Sequence, residues 1–282
     1  MARSRILTGL SVLLLALAAE ALTAILLVED WSQVPAGTSG IPPGWKSGQN
    51  WGTPAYDFVV EQEGAVKVLH LRSKGDSSTI AKEVKVDVKD TQFLEWRWKA
   101  VTLPRGGDGR KKATDDQALQ LYVVFERFPS MIRSRIIGYI WDSTAPVGTI
   151  IKSEKTGRVT YVVVRSGPKD LGKWLDESRN VYEDYKRIYG EAPQELIKVV
   201  SLAIDSDDTQ SSAEGYLGAI AFRTPNSRSG APESHPTPYR PGLGPPLGSA
   251  VGSDGGQPPA CSLRPPAPQP ETAQPSRTPR KR

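Results

Sequence analysis

The stretch AVKVLHLRSKGDSSTIAKEVKVDV, residues 65–88, decides the fold class. At its start Val66, Val68, His70 and Arg72 share one parity, and Ala65, Lys67, Leu69 and Leu71 share the other. At its end Ile80, Val84, Val86 and Val88 share a parity that Lys85 and Asp87 oppose. Successive side chains of a strand point to opposite faces, so this period of two reads as half-buried antiparallel strands over Ala65–Arg72 and Thr79–Val88.

Similar runs of β-branched and aromatic residues recur on both sides. They place further strands at Tyr56–Val60, Phe93–Val101, Ala118–Glu126, Ile136–Trp141, Val159–Arg165, Lys198–Asp205 and Tyr216–Arg223. Many short strands at this spacing predict a mainly β protein, an antiparallel sandwich or jelly roll. One segment departs from the pattern. In DLGKWLDESRNVYEDYKRIYG, residues 170–190, apolar residues fall at Leu171, Trp174, Leu175, Val181, Tyr182, Tyr185, Ile188 and Tyr189, close to helical spacing. Gly190 suits the left-handed stop position and Pro193 prevents continuation, so one long amphipathic helix is expected here. Residues 103–116, LPRGGDGRKKATDD, read as a long flexible loop.

The ends differ from the middle. Arg3 and Arg5 precede an apolar run from Ile6 to Ala18, and small residues follow at Ala19, Ala21 and Ala24, the order of an export signal over residues 1–24. A periplasmic or secreted protein is expected, with no membrane span once the signal is removed. An uncleaved inner-membrane anchor is the alternative, although Glu20 would then lie deep in the span. From residue 225 to 282 proline, glycine and serine dominate and aliphatic residues almost vanish, the composition of a disordered tail. Residues 25–224 are left for one sandwich domain. That domain holds 27 Lys and Arg against 27 Asp and Glu, so the chain's formal charge of +5 sits in its ends. A neutral domain with a basic tail argues against nucleic-acid binding. The single cysteine, Cys261, lies in the tail, so no disulfide holds the domain.

Candidate chemistry is sparse. His70 is mid-strand and His235 is in the tail, which disfavours histidine metal sites and Ser-His-Asp catalysis. No phosphate-binding glycine motif is present, and no cofactor is expected. Trp96 and Trp98 lie two apart on one strand face with Leu94 and Ala100. Such a pair either stacks on sugar rings or fills the core; Tyr139, Trp141 and Trp174 pose the same choice. Among the acids, Asp116 and Glu126 stand about 33 Å apart along one strand, too far for a glycosidase pair. Asp116 with Asp205 stays open as a catalytic pair, with Asp115 and Asp207 as further acids. The loop AIDSDDT, residues 203–209, fails as an EF-hand because Gln210 stands where glycine is required and Tyr216 where glutamate is. A looser structural calcium site built from Asp205 and Asp207 with Glu29 and Asp30 is an alternative to a plain Asp-rich turn.

Taken in order, PPGW (42–45), LEWRWKA (94–100), TDDQALQLYVVFE (114–126), IGYIWDS (137–143), ESRNVYEDYKRIYGEAP (177–193) and AIDSDDT (203–209) resemble a bacterial family of exported proteins, domain-of-unknown-function family 3047. The resemblance covers residues 27–223. It implies an exported jelly-roll sandwich similar in outline to carbohydrate-binding modules, and no assigned activity comes with it. Relatives carry Asp where this chain has Ala219, which weakens a calcium site on the last strand.

Three functions remain. The first is a non-catalytic module for a glycan or envelope component, with Trp96, Trp98, Asp116, Tyr139, Trp141, Arg179 and Asn180 as contacts. The second is a carboxylate-dependent polysaccharide hydrolase or lyase. The third is a structural envelope protein that binds another protein.

Overall fold

In the computed structural model the alternating stretch becomes β4 (Val66–Lys74) and β5 (Ser77–Val86), which leave each other at Gly75 and enter different sheets. The structure describes residues 24–48 and 58–225. The export segment up to residue 23, the tail beyond 225 and the first two residues of the strand expected at Tyr56–Val60 lie outside the described residues.

The other strands are β1 (Ile25–Glu29), β2 (Lys46–Ser47), β3 (Phe58–Glu63), β6 (Phe93–Thr102), β7 (Leu119–Phe125), β8 (Arg135–Asp142), β9 (Ile150–Lys152), β10 (Val159–Ser166), β11 (Leu175–Asn180), β12 (Ile197–Asp205) and β13 (Ser212–Arg223). The first sheet runs β11-β6-β13-β4-β3, with β1 also paired to β13. The second runs β2-β5-β12-β7-β8-β10-β9. The expected β-sandwich is therefore present, and all nine anticipated strands lie in it. Every pairing is antiparallel except β8 with β10. Between those two the chain passes through β9, which supplies the crossover that a parallel pair needs.

The long helix is corrected. Only Val181–Tyr189 is α2, while Leu175–Asn180 forms β11 on the edge of the first sheet. Trp174 and Leu175 imitate helical spacing, but Asn180 ends the strand by accepting a 3.0 Å bond from the backbone N–H of Glu183, which starts the helix there. Gly190 closes it at φ 74°, as expected. A single turn, α1 (Ser130–Arg133), joins β7 to β8. Among the described residues no helix is long and apolar enough to cross a membrane.

The core lies between the sheets. Trp96 and Trp98 of β6 meet Tyr139 and Trp141 of β8 with ring centroids 5.5 and 5.9 Å apart. Most polar groups enter this layer in matched sets, although the buried Trp96 Nε1 has no hydrogen-bond partner. Glu177 accepts from Trp98 Nε1 at 2.9 Å and from Arg165 through two bonds, and Asp184 accepts from Arg179 and from Tyr139 Oη. Burial of charge is tolerated where each partner is satisfied.

The two ends of the sandwich differ. At one end β12 runs into β13 through residues 206–211, and Asp115 and Asp116 precede β7. At the other, Val86 stands opposite Ile197, which stands opposite Phe125. There too Ile25 pairs with Arg223 and Arg223 with Phe93, and Ala24 and Thr224 exchange two 3.1 Å bonds.

Candidate functional site

The aromatic contacts anticipated from sequence are not surface platforms. Trp96 is 2 % exposed and Trp98, Tyr139 and Trp141 are 0–1 %. The parity that put Trp96 and Trp98 beside Leu94 and Ala100 turns all four inward, where hydrophobic transfer favours them. Arg179 is committed to Asp184, and Asn180 caps α2. Glu29 and Asp30 do not join the acids of the 203–209 loop. Glu29 accepts from Lys82, Trp45 Nε1 and Trp31 N–H, and these partners hold its carboxyl low against the opposing effect of burial. Lys82 faces Val200, five residues along β12 from Asp205, or about 16 Å. The calcium set proposed from sequence is thus split between two places.

The acids that do converge come from two chain segments. Asp116, fully buried, accepts from the backbone N–H of Asp208 at 3.1 Å and of Thr209 at 2.6 Å. The N–H of Asp205 in turn donates to the carbonyl of Gln117. Asp116 is therefore the brace of the 206–211 loop. Oxygens of Asp116, Asp207 and Asp208 lie within 4.8 Å of one another. Both oxygens of Asp116 are already engaged, however, and the Lys155 ammonium pairs with Asp208 and approaches Asp207 at 3.8 Å. Lys155 supplies one positive charge to this cluster of three carboxylates.

Residues 103–116 are not a loose loop either. Gly109 N–H donates to Asp142, Ser143 donates to the carbonyl of Pro104, and Thr144 to that of Gly107. Arg110 binds Asp108 through two bonds and holds its carboxyl far below the usual range. Burial raises Asp142 even though three backbone N–H groups bind it.

From this acidic end a groove follows the outer face of the second sheet. Period-two alternation sends Leu119, Leu121 and Val123 inward and Gln120, Tyr122 and Val124 outward. Two cavities of about 290 and 360 Å³ share Thr79 and Arg158 and so form one trough. Small and polar side chains, among them Thr79, Ser201 and Ala203, share its floor with apolar ones such as Val124 and Val199. From Asp205 to Val199 it runs about 20 Å along β12. One wall is the 153–158 turn, in which Lys155 pairs with Asp208 at one end while Arg158 donates to the Ser130 carbonyl at the other.

Tyr122 and Tyr161 lie across β8 because Gly138 leaves room. A Cβ there would sit 2.6 Å from the Tyr122 ring and 3.1 Å from that of Tyr161. Tyr122 Oη donates to Gln120, and Tyr161 Oη to Asp115 at 3.4 Å. Asp115, Asp205 and Asp207 line the same cavity. Burial pushes Asp115 up to about 6. Burial, then the neighbouring Asp207 and Asp116, push Asp205 up to about 9, which favours its protonated form. Burial alone would lower Lys155, but Asp208, Asp205 and Asp207 raise it and keep it charged. The cavity thus joins neutral and charged donors and acceptors on a fixed floor.

The sequence left Asp116 and Asp205 open as a pair, and the structure fastens Asp116 to the loop that follows Asp205. Tyr122 and Gln120 had a signal in the alternation of β7, whereas Gly138 meets Tyr122 and Tyr161 only through the pairing of β8 with β7 and β10. Lys155 and Arg158 had none, because a turn lying over a sheet leaves no periodic trace.

A larger cavity, about 1050 Å³, covers the outer face of the first sheet beside Glu63, Arg97 and Trp174. Its indole is already engaged. Trp174 Nε1 donates to Glu63 at 2.5 Å, Lys99 and Arg97 stand 4.8 and 5.2 Å from its ring centre, and Tyr216 lies beside it.

The family model described as "Protein of unknown function (DUF3047)" matches residues 44–221. Among curated proteins none matches the sequence. Solved structures similar to the chain include the family 11 carbohydrate-binding module of the cellulosomal cellulase Lic26A-Cel5E of Clostridium thermocellum, at 7 % identity and a TM-score of 0.39, covering 72 % of this chain and 95 % of that one. The family 30 carbohydrate-binding module of Cel9D-Cel44B from the same organism is similar at 9 % identity and a TM-score of 0.37, covering 71 % and 96 %.

Proposed function

The chain belongs to the DUF3047 family of proteins of unknown function, and from its own geometry we propose that it is an exported, non-catalytic module that binds a glycan segment along the outer face of the second sheet. The carrying observation is the trough itself, about 20 Å long, with small, polar and apolar side chains on its floor and Gln120, Lys155, Arg158, Asp115 and Asp205 along it. Length and shallow form suit an extended chain better than a compact small molecule, which prefers an enclosed apolar pocket. Alternating donors and acceptors suit hydroxyl groups, each of which both donates and accepts. Export places the module where envelope or environmental polysaccharide is met. Binding of a panel of soluble oligosaccharides, followed by calorimetry, tests this reading, and flat isotherms across the panel would remove it.

One observation favours a second reading, a carboxylate-dependent hydrolase or lyase. Asp115 and Asp205 line one cavity and their protonation ranges are pushed apart, to about 6 and about 9. Such a pair can supply a base and an acid at one pH. Turnover of any bound oligosaccharide, lost in Asp205→Asn, would establish it over the binding module.

A further inference from the structure

On the first sheet Arg97, Lys99 and Arg223 each meet a carboxylate. Arg72 and Lys74 at the end of β4 do not, and neither does Arg105 in the loop after β6. The side chains of these three make no hydrogen bond and no ion pair among the described residues. Arg72 and Lys74 lie two apart on one strand, so they share a face at a spacing of about 7 Å. Opposite them on β13 stand Glu214 and Ser212. Arg105 is brought alongside by its backbone N–H, which donates to Ser211 Oγ at 3.0 Å.

The three cations open onto one crevice. A cavity of about 650 Å³ is lined by Lys74 and Arg105 together with Thr102, Gln210, Ser211 and Ser212, and none of its lining residues is acidic. A second cavity, about 360 Å³, shares Lys74, Thr102 and Ser212 with the first and adds Arg72 and Glu214. Glu214 is the one acid in either lining, and its Oε1 stands 2.8 Å from His70 Nε2. Asp76, next to Gly75, turns its Oδ1 to the N–H of Ser77 and lines neither cavity. Asp207 and Asp208 meet Lys155 on the groove side of the same loop. Glu214 thus offsets one of three positive charges at most. Like charges gathered in one crevice repel, and a bound anion turns that repulsion into attraction.

The loop between β12 and β13 separates this crevice from the groove. Asp205 and Asp207 line the groove, whereas Gln210, Ser211 and Ser212 line the crevice. Gln210, at φ 48°, stands where the chain passes from one face to the other.

We propose that the crevice is a binding site for a phosphate group, with Arg72, Lys74 and Arg105 as its charges and the hydroxyls of Ser212 and Thr102 as further donors. A phosphate carries about 1.5 to 2 negative charges and offers acceptor oxygens in a tetrahedron, which suits cations that arrive from a strand and from a separate loop. A carboxylate presents two oxygens in one plane, the match of a single arginine fork. The site belongs to the first sheet and stands whether or not the groove takes a glycan.

The test follows the backbone amide resonances of the full chain during titration with inorganic phosphate, with glycerol 3-phosphate, acetate and chloride as parallel titrants at the same ionic strength. We expect saturable shifts at Gly75, Arg105, Ser211 and Ser212 with phosphate, and none that saturate with acetate or chloride. Lys74→Ala and Arg105→Ala should each weaken phosphate at least about tenfold, the loss of one charge-assisted contact. Both residues are exposed, so the core is untouched, and an unchanged thermal midpoint checks this. Lys152→Ala, an exposed lysine on β9 at the far edge of the second sheet, should stay within about twofold of the parent. Tighter binding of glycerol 3-phosphate than of phosphate supports the site as one for an ester, and the reverse supports it as one for the free ion. Equal, unsaturated shifts with phosphate and chloride would show a merely solvated basic face and overturn the proposal. Saturable binding that survives both variants, or that centres on Lys155 and Arg158, also overturns it.

Discussion

Asp116 accepts a 2.6 Å hydrogen bond from the backbone N–H of Thr209, ninety-three residues further along the chain. With the bond from Asp208 it fastens the β12–β13 loop to the entry of β7 and sets Asp205 and Asp207 at the mouth of the groove. A buried carboxylate that satisfies two backbone N–H groups cannot be removed cheaply. Asp116→Ala should therefore lower stability by about 3 kcal/mol, read from urea unfolding, and should raise hydrogen exchange selectively over residues 206–211. Asp116→Asn keeps one acceptor and should cost less. A catalytic role for Asp116 without a structural one predicts instead unchanged unfolding.

The raised Asp205 gives stability a pH dependence of definite sign. Its folded value is about 9, against about 3.9 for an unfolded aspartate. Between these values the folded chain holds a proton that the unfolded chain has released, so stability falls as pH rises from about 4 to about 9. Asp205→Asn mimics the protonated form. It should be more stable than the parent at pH 8 by about 1–3 kcal/mol, with the difference closing toward pH 4. A difference that does not change with pH would show that Asp205 is ionised in the fold.

Gly138 permits Tyr122 and Tyr161 to lie across β8. In Gly138→Ala the new Cβ would stand 2.6 Å from the Tyr122 ring, so the ring must move. We expect a loss of about 1–3 kcal/mol in unfolding free energy and a change in tyrosine fluorescence. Groove binding should weaken at the same time.

Trp98→Ala tests the opposite assignment, that the inward indoles serve the core. It opens a cavity beside Trp141 and takes a donor from Glu177. The expected cost is about 3–5 kcal/mol of stability, visible as a lower urea midpoint. A fully stable variant that fails only in glycan binding would return Trp98 to the role of a platform.

The fold was legible because alternation writes inward and outward faces directly into the sequence, as in Val84, Val86 and Val88 against Lys85 and Asp87. The helix was misread for a related reason. Leu175 opens an edge strand, with Trp174 just before it, whose inward Glu177 and Arg179 carry charge rather than apolar groups, so the strand period was hidden. Parity also turned Trp96 and Trp98 to one face correctly, but it does not say which face is the interior. The short β1, β2 and β9 left too few residues for any period. Of the groove, Asp115, Asp205 and Asp207 were visible as acids, whereas Lys155 and Arg158 owe their place to a turn folded over the sheet, which only tertiary structure reveals.

The most direct test compares the two outer faces in one calorimetric titration series, with the oligosaccharide that the parent protein binds best. The variants are Gln120→Ala and Arg158→Ala in the groove and Trp174→Ala on the other sheet, each checked for an intact fold by its thermal midpoint. The groove account predicts that both groove variants raise Kd at least tenfold, about 1.4 kcal/mol, and that Trp174→Ala stays within about twofold of the parent, the smallest change such a Kd comparison separates cleanly. Loss of binding in Trp174→Ala alone, with Gln120→Ala and Arg158→Ala unchanged, would contradict it and move the site to the first sheet.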